Sequence, residues 1–168
     1  MNQVLAEWNR VDRELARYDM LACCGAPRWA DEMVARRPFF SSGDLCFTAD
    51  QVWSTMHESD LLAAFASHPR IGDRRIHHAS ARSAAWSRQE QSSAGGSESV
   101  LGELEKLNAL YELRFGFTYI VCATGKTADE MLAILKRRVD NDRVAELREA
   151  AEQQRQIMQI RLKKWLVP

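Results

Sequence analysis

Only one stretch of this chain reads as β-structure. The run "FTYIVCATG", residues 117–125, gathers Phe117, Thr118, Tyr119, Ile120, Val121 and Thr124, the aromatic and β-branched types that favour strands. A lone strand has nothing to pair with and no independent stability. The run is therefore expected to be extended without forming a sheet, and the rest of the chain must bury its apolar surface through helices.

The remaining periodicity is helical. "VLAEWNRVDRELARYDMLACCG" places Val4, Leu5, Trp8, Val11, Leu15 and Met20 three and four residues apart and stops at Gly25. "PRWADEMVARRP" predicts a helix entered at Pro27 and stopped before Pro38, and "TADQVWSTM" offers Thr48 or Asp50 as a cap. "SDLLAAFASH" predicts another helix ending near His68, where Pro69 disfavours helical continuation. "SARSAAWSRQEQ" makes a further helix before Gly95 and Gly96, and "SESVLGELEKLNALYELRFG" a longer one ended by Gly116. Thr127 with Glu130 three residues on is a capping-box pattern. The tail from Asp142 carries a long amphipathic helix through Val144, Leu147, Ala151, Gln154, Ile157, Met158, Leu162 and Trp165. With 168 residues and 46% hydrophobic content, the expectation is one domain over 1–168, an all-α bundle with one extended segment.

Charge narrows the choice of partner. Basic and acidic residues balance at 23 each, so no global field draws the chain to nucleic acid or an anionic membrane, and no apolar run approaches the ~18 residues of a membrane span. Small molecules or protein are the expected partners. Cys23, Cys24, Cys46 and Cys122 form no C-x-x-C pair and read as reduced thiols. Glu7 and Arg10 interrupt what would be a secretory core, so a cytoplasmic location is expected.

Three places could carry chemistry: His68 at a helix exit, "SRQEQ" from Ser87 to Gln91, and Arg161. Helical spacing puts Ser87, Glu90 and Gln91 on one face, presenting a hydroxyl, a carboxylate and an amide together. Each also has a plainer explanation, His68 as a cap and the other two as solvated faces. His77 and His78 are neighbours that point apart on a helix and lack a metal-ligand spacing, and "ATGK" lacks the first glycine of a phosphate loop.

Taken in order, "FASHPRIGD", "SRQEQSSAG", "LNALYELRFGFTYIVCATGKTADEML" and "QIRLKKWL" resemble the 2-oxo-4-hydroxy-4-carboxy-5-ureidoimidazoline (OHCU) decarboxylases of urate breakdown, over nearly the whole chain. The resemblance implies an all-α fold, a homodimer, and loss of CO₂ without metal or organic cofactor to give (S)-allantoin. It assigns catalysis to His68 and Glu90, and substrate contact to Pro69, Ser87, Gln91 and Arg161. It also assigns substrate contact, largely through backbone, to Tyr119, Ile120, Val121, Cys122 and Ala123. Peptide groups without sheet partners could then bond a ligand rich in donors and acceptors.

Arg70 stands where some members carry an acidic residue, and the ending "WLVP" differs from a peroxisomal signal. Two rivals belong to other classes. A binding module that keeps the fold without catalysis would be favoured by loss of His68 or Glu90. A ureide amidohydrolase would need a metal cluster or an activated nucleophile.

Overall fold

The structure, a computed structural model, describes residues 2–71, 81–91 and 95–168. Among these residues it is all helical, as expected, with nine helices and no strand. They are α1 (Gln3–Trp8), α2 (Arg13–Cys23), α3 (Pro27–Ala35), α4 (Ser42–Ser54), α5 (Glu58–Ala66), α6 (Ala81–Gln91), α7 (Glu98–Phe115), α8 (Ala128–Arg138) and α9 (Arg143–Trp165). His77 and His78, and Ser92 to Ala94 of the quoted "SRQEQSSAG", lie outside the described residues.

The first amphipathic run is two short helices, because Asp12 turns its carboxylate back to accept from Leu15 N at 2.9 Å and so starts a new helix. One sequence expectation is corrected: the fourth helix begins well before Thr48, at Ser42, with the Ser41 hydroxyl accepting from Asp44 N at 3.0 Å. Elsewhere local chemistry acts as read. Pro27 opens α3, Gly116 closes α7 with φ of 79°, and Thr127 and Glu130 complete a reciprocal capping box on α8.

The chain divides into two compact units, one of residues 1–64 with 155–168 and one of residues 65–154. In the first, α2 packs on α3 and α3 on α4. Trp8 stacks near Phe39 at 6.0 Å and meets Trp165 edge-on at 5.6 Å. The Trp8 indole donates to Ala16 O and the Trp29 indole to Ala49 O, each at 3.1 Å. Arg37 closes the end of α1 by donating to Trp8 O at 2.7 Å and Val11 O at 2.9 Å. The end of α9 is fixed on α4 by Gln159, which donates to Cys46 O and Asp50 Oδ1 at 2.8 Å. Ile157, Met158 and Trp165, the apolar face of the tail, are buried within the chain itself.

In the second unit α7 packs on α8. Phe65, Tyr111, Phe115, Phe117 and Tyr119 form one aromatic cluster, with Tyr111 at 4.7 Å from Phe115, 5.8 Å from Phe117 and 5.4 Å from Tyr119. Residues 117–123 run through this unit with no ladder partner, as the sequence predicts.

Candidate active site

The interior of the second unit is built around a buried ion pair. Arg138, at the end of α8, is 2% exposed and Glu146, in the first turn of α9, is fully buried. Arg138 Nε and Nη2 donate to Glu146 Oε1 at 2.9 and 2.6 Å, while Nη1 donates to Ile120 O at 2.7 Å. The guanidinium also lies over the Tyr119 ring, 5.0 Å from its centroid. Glu146 accepts from the Tyr111 hydroxyl, and from Asn141 Nδ2 at 2.8 Å. Burial works against the charge on Arg138, but the hydrogen bonds and negative charge of Glu146 outweigh it and raise the guanidinium pKa. Burial, then the bond to Glu146, pushes the Tyr111 phenol up, and burial raises Tyr119 against the pull of Arg138.

His68 follows α5, its N–H donating to Phe65 O at 3.1 Å, which continues the helix by one turn before Pro69. His68 and Pro69 are half-buried. The imidazole Nε2 lies 2.7 Å from Gln154 Oε1 on α9, so that amide orients the ring. The Arg70 guanidinium, next in sequence to Pro69, makes a two-pronged pair with Glu112 of α7, Nε donating to Oε1 at 2.7 Å. One turn earlier on α7, Asn108 is 1% exposed and reaches Ile71 O at 3.5 Å through Nδ2. Its Oδ1 is the one buried side-chain acceptor without a partner among the described residues.

On α6, Ser87 and Glu90 are buried and Gln91 is partly exposed, as expected of one inward face. Tyr119 to Ala123 are all buried, and Tyr119 donates its hydroxyl to Met131 O at 3.1 Å. The expectation that this segment keeps its peptide groups open for a ligand is corrected at several positions. Ile120 O is taken by Arg138, Cys122 N donates to Gln153 Oε1 at 2.9 Å, Cys122 O accepts from Lys126 Nζ at 2.7 Å, and Ala123 O accepts from Lys126 N at 2.9 Å. Side chains do what sheet neighbours would do elsewhere. Among the described residues, neither peptide group of Val121 has a partner.

Arg161 belongs to the first unit and is 1% exposed, so it is not a solvated surface residue; Nη1 points to Ala22 O at 3.5 Å. Sequence reasoning missed the roles of Arg138, Glu146, Gln153 and Gln154. The available signal was a glutamine inside an otherwise apolar stripe, Gln154 between Ala151 and Ile157. Among the described residues no group of three or more His, Cys, Asp or Glu is placed to hold a metal ion, and no helix is long and apolar enough to cross a membrane.

The family model described as OHCU decarboxylase matches residues 9–163. The uric acid degradation bifunctional protein TTL of Arabidopsis thaliana is 36% identical over 154 residues, covering 90% of this chain, which in turn spans 47% of that protein's length. A 2-oxo-4-hydroxy-4-carboxy-5-ureidoimidazoline decarboxylase of Amia calva is 30% identical over 129 residues, covering 75% of this chain and 73% of its own. A crystal structure of OHCU decarboxylase in the presence of (S)-allantoin superposes with a TM-score of 0.78 at 34% identity, over 90% of this chain and 99% of that one. Sequence pattern and fold agree across both units, and the chain belongs to the OHCU decarboxylase family.

Proposed function

We propose that this chain decarboxylates OHCU to (S)-allantoin in urate catabolism. One observation carries the proposal: the family's pattern covers residues 9–163, and His68, Ser87 and Glu90, to which the resemblance gives roles, stand in the unit whose interior is polar. The match runs across the boundary between the units, which supports one functional domain.

The substrate supplies its own electron sink. Its carboxylate sits on a ring carbon next to a C=N bond, so the C–CO₂ bonding pair can form a C=C bond as the C=N pair moves onto nitrogen. That nitrogen takes up a proton, a second proton enters the carbon that bears the ureido group, and the hydroxyl proton leaves as the ring carbonyl forms, so one proton is consumed for each CO₂ released. The protein has to orient the carboxylate across the π system, stabilise charge on nitrogen and protonate one face. His68 is the proton-moving group and Glu90 the carboxylate that assists it. Ser87 and Gln91 hold the ureido and ring groups, Pro69 lines the pocket beside them, and Arg161 is a further substrate contact that the resemblance assigns. The segment Tyr119, Ile120, Val121, Cys122 and Ala123 supplies a backbone wall, with Val121 as its bonding residue. No organic cofactor or metal is required by this chemistry.

We place the enzyme in the cytoplasm, a reducing setting that suits four unbridged cysteines. A homodimer follows from the resemblance. Its face must be sought away from Ile157, Met158 and Trp165, which the chain covers itself.

The test generates OHCU in situ from urate and follows its absorbance and the chirality of the product, with and without exhaustive dialysis against chelator. Faster decay to predominantly (S)-allantoin, unchanged by the chelator, is expected. No acceleration over the spontaneous racemic reaction would remove the assignment. Activity lost to chelator and restored by one metal would make this a metal enzyme and bring His77 and His78 forward.

A further inference from the structure

On the decarboxylase function just proposed, the geometry points to Arg138 as a positioning residue, which with Glu146 behind it fixes the backbone wall at 119–123 against which the substrate is oriented.

Stability alone does not account for the pair. A buried ion pair exchanged for well-packed apolar side chains is often neutral or even stabilising, because desolvation offsets the attraction. An apolar pair cannot, however, bond the Ile120 carbonyl. Arg138 uses its planar fork in two directions, Nε and Nη2 onto Glu146 and Nη1 onto Ile120 O, while its face covers Tyr119. Glu146 is itself held from two sides by the Tyr111 hydroxyl and Asn141 Nδ2.

The consequence lies in the backbone. Along an extended chain, residues two apart direct their peptide groups to the same edge and the residue between them to the opposite edge. Ile120 O is bonded by Arg138, and both peptide groups of Cys122 are bonded, by Gln153 and Lys126. One edge of the segment is thus tied to the protein at two successive points. In an extended segment Val121, between them, would turn its N–H and C=O to the other edge, and no described residue pairs with either group. That donor and acceptor side by side match the N–H and C=O of a ureido group. Loss of the Ile120 anchor would let this edge rotate, and a misplacement of about 1 Å can cost about 10²-fold in rate.

The decisive experiment compares the wild-type chain with the double variant Arg138→Met/Glu146→Leu, the single variant Arg138→Lys, and Leu45→Ala as a destabilised control in the first unit. Folding is followed by circular dichroism and melting. Then kcat, KM and the enantiomeric excess of allantoin are measured at enzyme concentrations where the spontaneous reaction is negligible. The double variant is expected to stay folded with kcat down about 10²-fold, KM raised and enantiomeric excess lowered. Leu45→Ala should melt earlier with all three kinetic readouts unchanged. Arg138→Lys, which keeps the charge beside Glu146 but lacks the fork, should fall in the same direction as the double variant, and it decides the matter if the double variant does not fold. An active wild type whose folded variants keep its kcat, KM and enantiomeric excess overturns the positioning role alone. A wild type that does not accelerate the reaction overturns the decarboxylase assignment and this inference with it.

Discussion

The two units bury different chemistry. Of eight buried polar or charged residues among those described, seven lie in residues 65–154: Ser83, Ser87, Glu90, Asn108, Arg138, Glu146 and Gln154. Only Arg161 belongs to the first unit. There the core is tryptophan, methionine, leucine and alanine, and its indole N–H groups are satisfied by nearby carbonyls. Both units are all-helical, so secondary structure does not separate them. What separates them is the use of the interior. An apolar core needs only volume and shape, whereas a polar one must satisfy each group it removes from water, and tolerates that demand where the groups act on something.

Substitutions on the two sides should therefore fail in different ways. The largest effect is expected from His68→Asn, with turnover reduced by ~10²–10⁴-fold and melting little changed, since a half-buried ring contributes little packing. Steady-state kinetics beside a melting curve checks this, and near-full turnover would leave the imidazole as a helix-exit residue. Next comes Leu45→Ala in the first unit, expected to cost ~2–5 kcal/mol of stability with kcat per folded molecule intact. A denaturant titration reads the first quantity, and a matching fall in kcat would blur the contrast between the units.

The smallest effect is the alkaline dependence that two phenols give the second unit. Tyr111 and Tyr119 have their pKa raised above the ordinary value of 10.0, so the folded chain keeps protons that the unfolded chain releases. Stability is then undiminished below about pH 10 and falls as pH rises beyond it, each phenol contributing a slope of up to ~1.4 kcal/mol per pH unit. Tyr111→Phe should flatten that alkaline loss. Urea melts between pH 9 and pH 11 (about the range where an ordinary phenol titrates) measure it, and an unchanged slope would mean that Tyr111 is not the group responsible.

Much of this was legible in the chain. Pro27, Gly116 and the Thr127 to Glu130 box mark helix ends by local chemistry, which needs no knowledge of distant residues. The run without a ladder partner was legible for a different reason, since no second strand-like run exists in the sequence to pair with it. The break at Asp12 does not show in the pattern, because periodicity continues through it while its capping bond depends on one side-chain rotamer. Arg138 and Glu146 were invisible because periodicity counts a charge as surface. Only the meeting of the end of α8, the start of α9 and the carbonyl of residue 120 makes them interior. Their bonds also explain why open peptide groups were expected on the extended run in greater number than the fold provides.

Asn108 carries a consequence for anyone improving this protein. Its Oδ1 is buried without a partner, a condition that costs about 1–3 kcal/mol relative to a satisfied acceptor. Random mutagenesis selected for heat resistance would therefore find position 108 early, and leucine there would be rewarded. The same screen run on catalysis has reason to reject that change, because leucine would also drop the Nδ2 contact with Ile71 O, close to the Arg70 to Glu112 pair. Thermal selection and activity selection should diverge first at this residue, and the order in which the two screens touch it would show whether the chain has given up robustness there or merely never recovered it.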